Sequence, residues 1–490
     1  MPNPGAGGEL GAYTFTGSGP GRNGLHRPES IWWKSLGPRV GLAYQISPTT
    51  VIRSGYGIYY STLRISGFGD NDHLGFFGQA DFTSPGGVTP AFNWSNGFPS
   101  NFPHPPFLDP TLANGQSPTM ILTDVGRPGT IQNWTFDIQQ QLGKDALLDV
   151  AYVGAHDDHL QSWMRNPNQV NPIYLSKGAC LDVDLTQQTT NTACSGQAPV
   201  PFPYAGFTGS VAQALRPFPQ YSDIALENSY SPQPFGFYTY HALQTKFQKR
   251  FTGGLTILAT YTFSKNITDA DSEYPAQSAW NNDGAGPTQD NYSQKAEKSL
   301  SQLDTPQSVV LSYTYDLPIG PGRHFMSGGG VRGKILRGWH VSGVQTYHSG
   351  IPTGVGAPGV DNGIFANAAT ERANIVLGVP EKGWTGTFNP ITDRFFNPAA
   401  FAVPANFTLG DAPRALPLRE FATANEDFTL GKRTSIFERL NLDLRADFFN
   451  ALNHHRFYGA NNNVNDPTNF GIINSVSGPR SIQLGAKIEF

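Results

Sequence analysis

Apolar and polar residues alternate one by one in repeated stretches along this chain. The carboxyl-terminal stretch is the plainest: Ile482, Leu484, Ala486, Ile488 and Phe490 alternate with Ser481, Gln483, Gly485, Lys487 and Glu489. A side-chain period of two with one apolar face predicts a strand. From Arg439 to Phe448 the pattern recurs, with Leu440, Leu442, Leu444, Ala446 and Phe448 on one side and Asn441, Asp443, Arg445 and Asp447 on the other. The same reading predicts strands over 38–46, 51–60, 129–142, 146–155, 238–249, 255–265, 306–316, 338–349 and 422–432, about eleven in all and spaced as in an all-β antiparallel protein.

The connections between these strands alternate in length. Ser47, Pro48, Thr49 and Thr50 join the first two, and tight turns fall at 143–145, 251–254 and 433–438. Interleaved with them are polar segments over 61–128, 156–237, 266–305, 350–421 and 451–478. The link at 317–335, PIGPGRHFMSGGGVRGKIL, belongs to the short set although it is longer and Gly-rich. Placing every long loop at one end is the plan of a transmembrane β-barrel, with short periplasmic turns and long extracellular loops. The chain direction then puts Tyr60, Trp134, Phe263, Tyr347 and Phe448 near the outer strand ends, and Tyr315, Trp339 and Phe490 near the inner ends. Two aromatic girdles are expected at the edges of the apolar band of such a barrel.

Composition agrees. The 490 residues include 55 Gly and 39 Pro, while only 14% are charged, against roughly 25% in an ordinary soluble domain. The 33 basic and 37 acidic residues leave a net charge of -4 with no basic block, which argues against nucleic acid as a partner. No apolar run approaches the length of a membrane helix, and the amino-terminal MPNPGAGGELGAY lacks the basic start and apolar core of a secretory signal. Cys180 and Cys194 sit in a polar segment rich in Thr, Gln and Asn, where a thiol has no evident core to fill. A local disulfide in an oxidising compartment is the expectation.

Four segments carry a family resemblance: LGPRVGLAYQISPTTVIRSGYGIYY (Leu36 to Tyr60), ALQTKFQKRFTGGLTILATYTFSKNI (Ala242 to Ile267), NLDLRADFFNALNHHRF (Asn441 to Phe457) and the terminal RSIQLGAKIEF. Together they resemble TonB-dependent outer-membrane receptors of the Oar-like type, over nearly the whole chain. The resemblance implies a 22-stranded barrel preceded by a signal peptide, an immunoglobulin-like or carboxypeptidase-regulatory-like domain, and a plug with its TonB-contacting box. None of these precedes Leu36, and about eleven strands are half of the 22 the resemblance implies. Residues 1–35 are therefore expected to be a loop or partial segment, and 36–490 the C-terminal part of the barrel. The implied partners are outer-membrane lipid, the barrel assembly machinery, an unknown large ligand held by the long loops, and TonB only through the absent plug and box. The implied location is the outer membrane of a Gram-negative-type cell. A passive porin or surface adhesin barrel, and a secreted glycan-binding β-protein, are the alternatives.

Candidate functional residues follow. Ile482, Leu484, Ala486, Ile488 and Phe490 look like the β-signal read by the assembly machinery. Arg53, Asp137, Asp149, Lys246, Asp443, Arg445, Asp447, Lys487 and Glu489 fall on polar faces. An Arg or Lys turned towards lipid near mid-membrane would cost roughly 2–4 kcal/mol, so these charges are expected to face the lumen. The run HDDH at His156 to His159 offers metal-ligating atoms, but neighbours on an extended chain point to opposite sides and cannot close a tetrahedral site. DADSE from Asp269 to Glu273 lacks the Gly and the twelfth-position acid of a calcium loop, and His454 and His455 stand without further ligands. No hydrolase, metalloprotease or phosphate-loop motif is present, so neither an enzyme nor a cofactor is expected.

Overall fold

The computed structural model describes all residues except 28–29, 62–74, 77–79, 100–104, 119–126, 163–166, 223, 225–232, 270–288, 291, 322, 327–329, 362, 364–370 and 438–439. Twelve strands form one sheet, and eleven of them lie on a single continuous path. In chain order these are β1 (Arg39–Ser47), β2 (Thr50–Tyr60), β3 (Thr130–Leu142), β4 (Ala146–Ser162), β5 (Gln233–Thr252), β6 (Leu255–Thr268), β7 (Gln307–Asp316), β8 (Trp339–His348), β9 (Thr423–Phe437), β10 (Leu440–Phe449) and β11 (Ser481–Glu489). Each pairs antiparallel with the next, and Ser299–Leu300 adds a short strand beside β6. Among the described residues β1 and β11 remain the two edges of an open sheet.

Register decides which residues share a face, because a slip of one residue would turn every side chain over. Tyr56 lies opposite Trp134, Phe136 opposite Tyr152, Leu243 opposite Phe263, Tyr261 opposite Val309, and Ala446 opposite Leu484. One apolar face thus runs from β1 to β11, and its Leu42, Phe136, Leu243, Leu444 and Leu484 are all exposed. On a water-soluble protein a continuous apolar sheet of this size would drive association; in a bilayer it is the lipid-facing surface. All eight girdle aromatics predicted from the sequence belong to this face by register or strand alternation. Gly154 lies across from Trp134, and a Cβ there would come within 2.3 Å of the indole, so the glycine makes room for the ring.

The short connections behave as turns. Gly253 and Gly254 join β5 to β6 with φ of 63° and 87°, the left-handed values that a two-residue hairpin loop demands. Two predicted boundaries need correction. The hairpin of β4 and β5 does not stop near 155 and 238 but continues to Ser162 and Gln233, beyond a bulge where Asp158 faces Phe237 and Leu160 faces Gly236. His159 is the extra residue, at φ 59°, and a bulge of this kind lets pairing continue past a break in alternation. Strand β9 likewise runs through the predicted turn at 433–438 as far as Phe437, with a register shift between Ser435 and Phe437.

Among the described residues, three buried apolar clusters lie in the long connections and not in the sheet. The first gathers Val170, Leu181, Val183, Leu185, Phe207 and Val211 around Cys180 and Cys194. The second joins Val355, Phe395, Phe396, Phe401 and Leu416 of the β8–β9 connection to Phe470 of the β10–β11 connection. The third packs Ala113, Tyr221 and Ile224 with Tyr13. Residues near the amino terminus are fastened there by Asn3 Nδ2 donating to Asn114 Oδ1 at 2.7 Å and by Gln220 Nε2 donating to the Leu10 carbonyl at 2.7 Å. The long connections therefore pack against one another as a folded layer at one end of the sheet.

Candidate functional site: the polar face and the packed outer loops

The face opposite the apolar one carries the sequence-predicted charges, and the register sets them beside one another. Arg53 stands opposite Asp137 and Asp149 opposite Lys246, while Gln139 Nε2 donates to Asp149 Oδ2 at 2.9 Å. Towards the other edge, Thr429 Oγ1 donates to Asp447 Oδ1 at 2.7 Å and Arg445 Nε approaches Asp447 Oδ2 at 3.1 Å. Asp443 faces Lys487, Lys487 Nζ pairs with Glu489 at 2.7 Å, and Arg433 joins the same carboxylate. Exposed pairs of this kind add at most about 1 kcal/mol each. Their larger consequence is a hydrated, charge-balanced wall. Ile482, Leu484, Ala486 and Ile488, the residues expected to form a β-signal, line the apolar face of β11, and Phe490 follows it fully exposed.

Above the sheet, a knot of buried polar groups ties two connections to the end of β6. Arg372 Nη2 donates to Glu297 Oε1 at 2.9 Å, and the two side chains are 6% and 3% exposed. The Arg372 backbone N–H donates to Gln289 Oε1, Gln289 Nε2 to the Gly410 carbonyl, and the Gly410 N–H to Glu371 Oε1, each at 2.8 Å. Arg414 is wholly buried and donates to the carbonyls of Glu297 at 3.0 Å and Thr268 at 2.8 Å. Arg419 pairs with Asp304, which in turn accepts from the Asn266 N–H at 2.6 Å. Burial pulls the Arg372 pKa down while the Glu297 carboxylate pulls it back up. Sequence reasoning missed this knot because its members lie far apart in the chain and follow no period.

Cys180 and Cys194 are joined by a disulfide, and both are buried. The premise of a segment without a core is corrected: the lobe around them buries its own small cluster. On its surface, burial pushes the Asp182 carboxyl up to about 6, and the neighbouring Asp361 carboxylate adds to the shift.

Between the β8–β9 connection and the hairpin Phe457–Ala460 with Ile473–Val476 lies a narrow cleft, lined by Phe395, Phe396, Phe421, Phe457, Tyr458 and Glu420 among others. Arg456 Nη2 stands 3.9 Å from Glu420 Oε2 and its guanidinium covers Tyr458 at 5.5 Å. Sequence reasoning missed this cleft too.

The remaining sequence candidates stay apart. His156 Nε2 meets Asp158 Oδ1 at 3.3 Å, and the register assigns Asp157 to the opposite face. Asp269 Oδ1 accepts the Phe237 N–H at 2.8 Å; residues 270–273 of the DADSE run lie outside the described residues. His454 Nδ1 stands 3.1 Å from Glu426 Oε2, and His455 packs edge-on against Phe457 at 5.1 Å.

A sheet apolar on one side, charged on the other and roofed by its long connections defines the wall of an outer-membrane β-barrel. The chain belongs to the outer membrane beta barrel domain family, whose model matches residues 3–483. The family's description sets this sheet in an outer membrane. Among solved structures, the chain is similar to the ferripyoverdine receptor of the outer membrane of Pseudomonas aeruginosa, at 11% identity over 92% of this chain and 32% of that one, with a TM-score of 0.37. It is also similar to the outer membrane transporter YddB from Escherichia coli (10% identity, 90% and 39% covered, TM-score 0.39). The siderophore receptor PiuA from Acinetobacter baumannii is a third (10% identity, 92% and 35% covered, TM-score 0.37). The chain spans between 32% and 39% of the length of these three. No curated protein matches it.

Proposed function

We propose that this chain forms part of the barrel of a TonB-dependent receptor of the Oar-like type, which binds a large ligand at its outer loops and imports it. The observation that carries this reading is the packed outer layer. A passive pore needs an unobstructed mouth, whereas here two long connections are cross-tied by ion pairs, apolar clusters pack the neighbouring connections against them, and together they roof the end of the sheet. Lumen-facing charges along Arg53, Asp149, Lys246, Asp443, Arg445 and Asp447 then line the route inward, and the terminal strand serves as the signal for the barrel assembly machinery. TonB would act through a plug and box on the remainder of the barrel. The test is disruption of the gene in its native cell, followed by uptake of ferric siderophores, cobalamin and malto-oligosaccharides with and without a protonophore. Loss of protonophore-sensitive uptake of any of these supports the receptor. Loss of protonophore-insensitive flux of small sugars alone supports a porin instead.

A further inference from the structure

The connection between β7 and β8 ends in a short helix, Gly330–Leu336, whose carboxyl end is tied to the apolar side of the sheet. Trp339 lies opposite Lys432, and Lys432 opposite Leu444, so all three belong to the lipid-facing surface. The Trp339 indole Nε1 donates to the Ile335 carbonyl at 3.0 Å. Lys432 Nζ donates to the carbonyls of Ile335 at 2.6 Å and Arg337 at 3.1 Å, and it lies 5.2 Å from the centre of the indole ring. These bonds satisfy carbonyls that the end of a helix leaves without partners. They also account for a lysine on the apolar face, since its stem can lie along the wall while its charge reaches the edge of the band. Val331 and Ile335, four residues apart and so on one side of the helix, are 75% and 58% exposed. The three charged residues between Gly330 and Trp339 are Arg332, Lys334 and Arg337, all basic, and Arg332 and Arg337 are exposed.

We propose that this helix is an interfacial foot, which rests on the periplasmic-side surface of the membrane and binds anionic phospholipid headgroups there. The occupant follows from continuity with the lipid-facing surface. The side chains that anchor the helix, Trp339 and Lys432, are themselves part of that surface, so lipid covering Leu444 and Trp339 meets Val331 and Ile335 at its edge. Apolar residues on one side of a helix with Arg or Lys beside them are the arrangement that lies in the plane of a membrane interface, and basic groups at that level attract anionic headgroups. Two carboxylates at this end of the neighbouring strands lie on the other face: Asp316 stands opposite His340 and Glu489 pairs with Arg433. Basic charge is thereby set on the bilayer side of the sheet. The inference rests on the membrane-spanning reading of the sheet and not on ligand import; a barrel that transported nothing would still stand on this foot.

The experiment uses the complete barrel in vesicles of phosphatidylcholine and phosphatidylglycerol, with one added cysteine at a time carrying a fluorophore; Cys180 and Cys194 are bonded to each other and do not react. Labels at Val331→Cys and Ile335→Cys should be quenched by lipid bearing a nitroxide near its headgroup and shielded from aqueous iodide. Nitroxide-bearing phosphatidylglycerol should quench them about twofold more than nitroxide-bearing phosphatidylcholine, and Arg332→Gln with Arg337→Gln should abolish that preference. A label at Leu444→Cys, quenched by a nitroxide deep in the acyl chain, reports the spanning sheet separately. Its unchanged quenching in the double variant distinguishes lost lipid preference from lost folding. Helix labels quenched by iodide and not by lipid, with the Leu444 label still quenched by lipid, overturn the foot. Equal quenching by the two lipids, or a preference that survives the double variant, overturns the binding of anionic headgroups. Absence of lipid quenching at all three positions overturns the spanning sheet and the foot with it.

Discussion

Arg372 and Glu297 hold the outer layer together through a bond neither can lose alone. Removing one member of a buried ion pair leaves the other charge without water or partner, at a cost of about 3–5 kcal/mol, whereas replacing both by apolar residues of similar volume is close to neutral. Arg372→Ala should therefore free the connections around Gln289 and Gly410, seen as faster hydrogen exchange at 289–300 and 407–416 with the strands still protected. Arg372→Met combined with Glu297→Gln, which keeps an oxygen for the Gln289 and Asp290 N–H groups, should restore much of the protection; equal exchange in both variants would refute the latch. A second residue-scale effect concerns pH. The Asp182 carboxyl is raised to about 6 in the folded lobe, above the ordinary value of about 4, so the folded state binds the proton more tightly. Its contribution is present in full below the ordinary value, declines as pH rises to about 6, and stays low above that. Asp182→Asn should flatten this decline in the lobe's resistance to proteolysis, and an unchanged pH profile would remove Asp182 as its cause. The disulfide beside it closes a loop of about 15 residues, for which the chain-entropy account gives on the order of 3 kcal/mol. Non-reducing mass spectrometry should recover Cys180 and Cys194 in one linked peptide pair, not as two alkylated thiols.

Single strands show what the sequence reveals and what it conceals. Alternation such as Leu440 to Phe448 is legible because lipid on one side and water on the other impose a period of two on every spanning residue. The spanning part of each path strand falls within a few residues of its predicted range for that reason. Beyond the membrane that constraint ends: the outer continuation of β4 and β5 past His159 follows hydrogen-bond pairing across a bulge, which hydrophobic patterning does not register. The cores around Cys180 and Phe396, and the salt bridge of Arg372, were illegible because they bring together residues distant in sequence without periodicity. The legible part makes a direct prediction. Leu444 lies on the apolar face of β10 and Asn441 on the polar one. Leu444→Arg should destabilise the complete barrel refolded into lipid vesicles by roughly 2–4 kcal/mol, and Asn441→Arg by much less, measured by urea titration. Equal costs would mean that the assigned faces are wrong.

For the whole molecule the decisive feature is the direction of its two edges. Strand β1 runs into the short turn before β2, and β11 runs antiparallel to β10, which itself rises from a short turn. Both edges therefore descend towards the same side of the membrane. Each edge is nine residues long, and in lipid every unpaired backbone N–H or C=O costs several kcal/mol, so open edges would cost tens of kcal/mol. Joining β1 to β11 within one copy gives a parallel seam, and so does joining two copies that keep the same orientation in the membrane. Antiparallel closure requires an odd number of further strands between the edges, and that makes the total even, as bacterial single-chain barrels are. We therefore expect the sheet to be one part of a larger barrel, whether the other strands belong to the same polypeptide or to another. Ala43 and Gly485 sit near the middle of the edge strands on the polar face, and cysteines placed there provide the check. In outer membranes containing the complete barrel, Ala43→Cys and Gly485→Cys should cross-link neither within one copy nor between two, with linked peptides mapped by mass spectrometry so that the Cys180–Cys194 bond is distinguished. A cross-link in high yield between positions 43 and 485 would show a parallel seam and overturn the expectation of an intervening odd set of strands.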